Sequence, residues 1–226
     1  MIAAGSVKVC VFDAYGTVFD VSTMAELFRA DLGDKADALF KHWRRRQLEI
    51  SWLPGRHQAA ADFWRVTDEA LDETMTAFGF DDRGLRARLM ESWLCPRLYA
   101  DAKPTLLRLR QAGFANAILS NGTQAMLAAG AAAGELEPVL DVVLSAAAAG
   151  VFKPNPAVYK MVMDHFGVAP QEVCFISGNT WDINGGALAG FQTVWINRDG
   201  IRPDSPPRGT QSTVATLTDL PTLLGA

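Results

Sequence analysis

The sequence has few cysteines, no excess of positive charge and no long apolar run. Its three cysteines, Cys10, Cys95 and Cys174, are odd in number and lack a CxxC spacing, which argues against a disulfide framework and a zinc site. The net charge is −4, so we expect no basic surface for nucleic acid. No apolar stretch approaches about 18 residues, and we expect no secretion signal in the first residues. We therefore expect no membrane span and a cytoplasmic protein.

Short and nearly continuous apolar runs predict buried strands. These runs are Val7–Phe12, Ala115–Leu119, Asp141–Ser145, Val173–Ser177 and Thr193–Asn197. Apolar runs without alternation are typical of a parallel sheet that is covered on both faces. Helical patterns lie between them, at Pro104–Gln111, Gln124–Gly134 and Pro156–Phe166. This alternation of strands and helices predicts a doubly wound, Rossmann-like α/β core.

A long interval without a strand pattern separates the first two predicted strands. Within it, residues 21–97 show several amphipathic helical patterns, at 22–33, 35–50, 58–80 and 83–94. A single loop of this length is not expected inside a compact domain. We therefore predict an inserted helical cap at residues 21–97, lying over the carboxyl edge of the sheet. The core domain would consist of residues 1–20 and 98–226.

Polar and charged residues follow the predicted strands at their carboxyl ends. Asp13 follows the first strand, Ser120 and Asn121 the second, Lys153 the third and Asp182 the fourth. Ligands of open parallel sheets bind at this edge. Two carboxylates, one ammonium group and several neutral hydrogen-bonding groups are therefore expected to meet in one site.

This ordered set of residues resembles the haloacid dehalogenase superfamily over nearly the whole chain. Most members of that superfamily are Mg²⁺-dependent phosphatases with a second Asp, the general acid, two residues after the nucleophile. Here that position is Tyr15, and Asn179 takes the usual acidic position after Gly178. Mg²⁺ prefers carboxylate oxygens, and an alkoxide leaving group needs a proton, whereas a halide does not. We therefore expect no metal and no other cofactor.

Five motifs are similar to those of one branch, the type II (S)-2-haloacid dehalogenases. They read FDAYGT (12–17), WRRRQLEISW (43–52), LSNG (119–122), FKPNPAVY (152–159) and SGNTWD (177–182). Relative to that branch, Ile50 and Phe152 replace tyrosines, and Gly178 replaces a serine. The resemblance implies a homodimeric hydrolase that converts (S)-2-haloacids to (R)-2-hydroxy acids and halide, with inversion. A Mg²⁺-dependent phosphatase and a catalytically silent anion-binding protein remain as alternatives.

The resemblance also implies roles for the charged residues of the site. Asp13 would be the nucleophile that forms an ester with the substrate. Lys153 would favour its ionised form, and Asp182 would orient Lys153 and activate the hydrolytic water. Arg44, which directly follows Trp43 and is the first of three consecutive arginines, would stabilise the departing halide. Asn121 would be the second hydrogen-bond donor to the halide. A structural Lys–Asp pair and a solvated basic helix face are the alternatives.

Further residues are expected to bind the substrate or to position the charged groups. Ser120 and the backbone N–H groups of Ala14 and Tyr15 would bind the substrate carboxylate, because turn amides can form an anion-binding nest. The pocket walls would be Leu48, Phe63 and Trp181, with plain core packing as the alternative.

Four polar residues are assigned positioning roles. Thr17 would fix the rotamer of Asp13, Ser177 and Asn179 would position Lys153 and Asp182, and Tyr159 would lie near Lys153. Local capping is an equal alternative for all four. The histidines are expected to be surface or cap residues without a role in the site: His42, His57 and His165.

Overall fold

The computed structural model describes residues 2–53, 62–201 and 207–226. Eight strands lie in these residues: β1 (Val9–Phe12), β2 (Phe19–Asp20), β3 (Arg97–Leu98), β4 (Ala115–Ser120), β5 (Val142–Ser145), β6 (Val173–Ser177), β7 (Gln192–Ile196) and β8 (Ser212–Val214). The helices are α1 (Met24–Leu27), α2 (Arg29–Leu32), α3 (Ala36–Trp52), α4 (Phe63–Phe78), α5 (Arg83–Glu91), α6 (Ala102–Gln111), α7 (Gln124–Ala133), α8 (Pro156–Phe166), α9 (Thr180–Leu188) and α10 (Leu220–Leu224).

Six of the strands form one parallel sheet in the order β5-β4-β1-β6-β7-β8. This is the doubly wound order, in which the chain first moves outward from β1 on one side and then on the other. Successive residues of β1 face opposite sides of the sheet. Cys10 and Phe12 belong to one apolar cluster and Val9 and Val11 to the other. Both faces are therefore covered, and the predicted Rossmann-like core is confirmed.

The element boundaries differ slightly from those predicted. The first strand starts at Val9 rather than Val7, because the Val7 amide closes a preceding 3-10 turn on Ala4. Helix α8 has the predicted bounds: Asn155 caps its first turn, and Gly167 ends it with a φ of 65°. The sequence patterns did not predict β8, whose three residues are too few and too polar, or α9, which contains two glycines of poor helix propensity.

The chain between β2 and β3 forms the cap helices, α1 to α5. Strands β2 and β3 pair antiparallel, with Phe19 opposite Leu98 and Asp20 opposite Arg97. The two connections between the cap helices and the sheet therefore lie side by side. The division of the chain at residues 21 and 97 stays a prediction. None of the helices in the described residues is both long enough and apolar enough to cross a membrane.

The predicted cap helices are present with changed limits. The pattern predicted over residues 22–33 is broken into α1 and α2, because Phe28 leaves the helical conformation between them. Helix α4 begins after Asp62, whose side chain accepts hydrogen bonds from the backbone of Trp64 and Arg65, and ends at Gly79 with a φ of 75°. The first residues of that predicted pattern, 58–61, lie outside the described residues. Helices α3 and α4 pack together, and the Trp43 indole donates to the Thr67 carbonyl at 2.9 Å.

Candidate active site

Asp13 lies at the carboxyl end of β1, in the centre of the sheet. Its backbone amide donates to Ile176 of β6 at 2.9 Å, which continues the strand pairing up to the functional residue. The residue is only 5% exposed. Its Oδ2 accepts from Asn179 Nδ2 at 2.7 Å, from Thr17 Oγ1 at 3.3 Å and from Ser177 Oγ at 3.5 Å. One carboxylate oxygen is thus held by three neutral donors.

Lys153 links the two buried carboxylates of the site. Its Nζ lies 2.8 Å from Asp182 Oδ2 and 3.3 Å from Asp13 Oδ1. The Lys153 and Asp182 side chains are fully buried. Burial raises the pKa of Asp182 to about 6 and the negative charge of Asp13 adds to this, whereas Lys153 and the Tyr159 hydroxyl oppose it. Asp182 therefore has a proton affinity suited to accepting a proton near neutral pH.

Tyr159 of α8 completes the hydrogen bonding of Asp182. Its hydroxyl donates to Asp182 Oδ1 at 2.7 Å, and its ring lies edge-on to Phe175 and Phe191. A Cβ atom on Gly185 would lie 2.1 Å from the Tyr159 hydroxyl oxygen. The Tyr159–Asp182 bond thus depends on the absence of a side chain at position 185.

Three of the positioning residues contact Asp13 with their side chains. The Ser177 hydroxyl and the Asn179 amide donate to Asp13 Oδ2, and the Asn179 carbonyl accepts from the Asp182 backbone amide at 3.1 Å at the start of α9. Tyr159 donates to Asp182, the partner of Lys153. The Thr17 hydroxyl contacts Asp13 as expected and also accepts from the backbone of Gly178 at 2.9 Å.

Gly178, which replaces the serine of the related motif, packs directly against the turn after β1. A Cβ atom at this position would lie 2.5 Å from the carbonyl oxygen of Gly16. The backbone after β6 and the turn after β1 therefore approach too closely for any larger residue at position 178.

Tyr15 occupies the position where the related phosphatases have an acid. Its ring is buried beside Phe19 and Trp93, at centroid distances of 5.3 and 5.2 Å. Its hydroxyl donates to the Trp93 carbonyl at 3.2 Å, just beyond α5. Burial raises the pKa of this hydroxyl well above its ordinary value. Tyr15 is therefore a neutral contact to the cap helices and not a replacement acid.

Arg44 reaches the site from α3. Its guanidinium donates to Gln47 Oε1 and to the Tyr15 carbonyl, the latter at 3.5 Å, and lies 5.8 Å from the centre of the Trp93 ring. Within the described residues it has no carboxylate within 4.0 Å, whereas Arg45 and Arg46 both pair with Glu49. Burial lowers the pKa of Arg44, and Asp13 opposes this. A partly buried cation without an ion pair is suited to binding an anion.

A small cavity lies between the cap helices and the sheet edge, with about 250 Å³ of space not filled by atoms, open solvent included. Its lining consists of Asp13, Tyr15, Arg44, Leu48, Phe63, Ser120, Asn121 and Trp181. This lining contains seven of the eight predicted substrate-binding residues and lacks only Ala14. Phe63 packs on Phe152 and Trp181 on Trp52, so that aromatic pairs between cap and core close the cavity.

Two buried donors of the cavity lining have no acceptor among the residues that the structure describes. Asn121 Oδ1 accepts from the Lys153 backbone amide at 2.8 Å, which fixes the orientation of the Asn121 amide. Within the residues that the structure describes, its Nδ2 has no hydrogen-bond partner, and neither has Trp181 Nε1. Buried donors are normally satisfied, so both groups are available to a bound ligand.

The carboxylate-binding group expected around Ser120 is present in part. Ser120 is 2% exposed, lines the cavity and accepts from the Gly122 amide at 3.2 Å. The backbone N–H groups of Ala14 and Tyr15 donate to no backbone carbonyl in the described part of the chain. Their role in binding a substrate carboxylate stays a prediction.

The donor set does not fit Mg²⁺. An ammonium group, Lys153 Nζ, already lies between Asp13 and Asp182, and the second oxygen of Asp182 is bonded to Tyr159. In residues 2–53, 62–201 and 207–226, no three His, Cys, Asp or Glu side chains are grouped so that they could hold a metal ion. Of the histidines, His42 bonds to Thr74, His165 is exposed and His57 lies outside the described residues.

A family model described as haloacid dehalogenase-like hydrolase matches residues 7–190. The chain belongs to this haloacid dehalogenase family. It is 43% identical over 220 residues to (S)-2-haloacid dehalogenase 4A of Burkholderia cepacia, which covers 97% of this chain and 95% of that protein. The resemblance predicted from the five motifs is therefore confirmed.

Solved structures of dehalogenases superpose on nearly the whole chain. A crystal structure of a dehalogenase with 43% identity has a TM-score of 0.93 over 98% of both chains. The L-2-haloacid dehalogenase of Xanthobacter autotrophicus with chloropropionic acid covalently bound has 33% identity and a TM-score of 0.88, over 97% of this chain and 99% of that one. This haloacid dehalogenase fold therefore accommodates a covalent haloacid adduct in that relative.

The sequence analysis missed two residues that shape the site. Gln47 bonds to Arg44, and its spacing of three residues on a helix is a signal that could have revealed it. Gly185 leaves room for the Tyr159 hydroxyl, and no sequence pattern indicates this, because the contact joins two different helices.

Proposed function

We propose that the protein hydrolyses (S)-2-haloacids to (R)-2-hydroxy acids, with inversion, through an ester on Asp13. One observation carries this proposal: a buried carboxylate and an unpaired guanidinium line the same small cavity, with a tyrosine in place of a general acid. A carboxylate can displace a leaving group from carbon, and a guanidinium can stabilise the anion that departs. A halide is such an anion, because it leaves without a proton.

In the first step an Asp13 oxygen attacks C2 of the substrate. Oδ2 accepts hydrogen bonds from three neutral donors, whereas Oδ1 accepts only one among the described residues, from Lys153 at 3.3 Å. Oδ1 is therefore the freer nucleophile. The new C–O bond forms as the carbon–halogen electron pair leaves with the halide. Arg44 and Asn121 Nδ2 would donate to the halide, and Ser120 and the turn after β1 would bind the substrate carboxylate.

In the second step water attacks the ester carbonyl carbon of Asp13. One of its protons passes to the Lys153–Asp182 pair, and the product alkoxide takes a proton as it leaves. The bond between the Asp13 carbonyl carbon and the ester oxygen breaks. The hydroxyl oxygen of the product is therefore the former Asp13 oxygen, and the water oxygen remains on Asp13.

The decisive experiment is a halide-release assay with chloroacetate and (S)-2-chloropropionate. We expect release that is unaffected by EDTA and abolished by Asp13→Asn, while a Mg²⁺-dependent phosphatase would lose its activity with EDTA. A single turnover in ¹⁸O-labelled water should give unlabelled product. If the product of the first turnover contains ¹⁸O, the ester intermediate on Asp13 is excluded. If neither substrate releases halide, a catalytically silent anion-binding protein is favoured instead. A cytoplasmic location and a homodimer stay predictions, which fractionation and light scattering would test.

A further inference from the structure

Arg44 is held on the side of the cap helices by a residue with no assigned role. Gln47 lies one helical turn further along α3 and is fully buried. Its Oε1 accepts from Arg44 Nη1, and its Nε2 donates to Thr67 Oγ1 at 2.6 Å. Thr67 on α4 is also fully buried. A continuous chain of hydrogen bonds therefore connects α4 to the guanidinium at the cavity.

The donors in this chain of bonds permit only one orientation of the Gln47 amide. The Thr67 hydroxyl donates its proton to the Phe63 carbonyl at 2.7 Å, so its oxygen can only accept from Gln47. Gln47 must therefore turn its NH₂ group towards Thr67 and its oxygen towards Arg44. A flipped amide would place two donors against each other at Arg44, and such a contact is repulsive.

We propose that Gln47 is a positioning residue that directs the Arg44 guanidinium at the departing halide, and that Thr67 fixes the Gln47 amide. The only other hydrogen bond of Arg44 within the described residues, to the Tyr15 carbonyl, is long at 3.5 Å. Gln47 is therefore the main restraint on the guanidinium. This proposal rests on the proposed function, because it takes a halide as the anion that Arg44 meets.

The proposal predicts which reaction step depends on Gln47. Arg44 stabilises charge only while the carbon–halogen bond breaks, and the halide has left before the ester is hydrolysed. Loss of Gln47 should therefore slow ester formation and leave ester hydrolysis unchanged. The effect should be larger for chloride than for bromide, since the poorer leaving group depends more on the cation.

The test is Gln47→Met, which keeps the length of the side chain and removes both polar atoms. Thr67 keeps its bond to Phe63 in this variant, so no buried hydroxyl is left without a partner. With enzyme in excess over (S)-2-chloropropionate or (S)-2-bromopropionate, rapid quenching separates halide release from the appearance of hydroxy acid. We expect halide release from the chloro acid to slow roughly ten- to hundredfold, because a catalytic group that is displaced by about 1 Å can lose this much rate, and Arg44 would be misdirected in the variant. Equal slowing of both steps, or of neither, would overturn the proposal.

Thr67 offers a test that leaves Gln47 in place, and Thr74 offers the matched control. Thr74 lies two turns further along α4, is fully buried and also bonds to a side chain of α3, His42, but does not lead to Arg44. We expect Thr67→Val to slow halide release, Thr67→Ser to retain the rate and Thr74→Val to behave like the wild type. If Thr74→Val is as slow as Thr67→Val, the effect is general destabilisation, and the proposal is wrong.

A binding measurement separates this proposal from the proposed function. Bromide titrated into the resting enzyme in a calorimeter should bind about tenfold more weakly to Gln47→Met than to the wild type, as expected for one lost orienting contact. If the wild type releases no halide from either haloacid, the proposed function fails, and the bromide comparison still tests Gln47. Equal affinities, or no bromide binding by the wild type, would overturn the role of Gln47.

Discussion

Tyr159→Phe should move the acid side of the pH–rate profile to higher pH. The hydroxyl that it removes donates to Asp182 Oδ1 at 2.7 Å, within a buried site. A hydrogen bond to a charged group contributes about 1.5–3 kcal/mol, and about 1.4 kcal/mol corresponds to a tenfold change in proton affinity. Because Lys153 stays 2.8 Å from Asp182, we take the lower end of that range. The pKa of Asp182, about 6 in the wild type, should therefore rise by about one.

The direction of this effect on stability is also fixed. The pKa of Asp182 is higher in the folded protein than its ordinary value of 3.8, so ionising it costs folding free energy. The protonated form of Asp182 therefore stabilises the folded protein. This contribution is fully present below the pKa of the unfolded state and is lost as the pH rises through about 6. Tyr159→Phe raises the folded pKa further. The free energy of unfolding should therefore fall by about 1–2 kcal/mol more at pH 8 than at pH 4.

The assay is kcat for halide release measured across the pH range, with urea unfolding at the two pH values. Tyr99→Phe is the control, because Tyr99 is a tyrosine outside the cavity and its variant should keep the wild-type profile. If the acid side of the pH–rate profile of Tyr159→Phe stays in place or moves to lower pH, the role given to Asp182 is wrong. If Tyr159→Phe loses equal stability at both pH values, the effect does not come from a raised pKa of Asp182.

Three further substitutions test the surrounding contacts. Gly185→Ala would place a Cβ atom 2.1 Å from the Tyr159 hydroxyl, so it should move the acid limb as Tyr159→Phe does and cost about 1–3 kcal/mol in thermal unfolding. Trp181→Phe keeps a ring and removes the unpartnered Nε1–H, so kcat for a chloro acid should fall up to about tenfold, and less for a bromo acid. Arg44→Lys keeps the charge but loses the planar donors, and kcat should fall about 100-fold or more; full activity would contradict the halide role.

The sequence predicted the sheet well, because β1, β4, β6 and β7 are buried on both faces and therefore read as continuous apolar runs. Strand β5 is only half-buried, but its residues are apolar enough to give the same signal. Their carboxyl ends placed Asp13, Ser120 and Asp182 together by topology alone. The choice of Arg44 from three consecutive arginines came from the resemblance, and the ion pairs of Arg45 and Arg46 with Glu49 supply its physical reason.

Other features of the site could not be predicted, because they depend on contacts between distant segments. The partners of Asn179 and Ser177 follow from the exact turn of the chain after β6, which places both on Asp13. The edge strand β8 and the pair β2–β3 are too short to give a periodic signal. Gly185 reads as a poor helix residue in sequence and acquires its meaning only from the Tyr159 hydroxyl above it.

Tyr15 links the chemistry to the architecture. An acid at this position would face the cavity and could protonate a leaving group. The tyrosine hydroxyl instead donates to the Trp93 carbonyl, and its ring packs against the rings of Phe19 and Trp93. Its carbonyl also accepts from Arg44 and from Asn179. The replacement therefore removes the proton donor and joins the turn after β1 to Trp93, which lies just beyond the last cap helix.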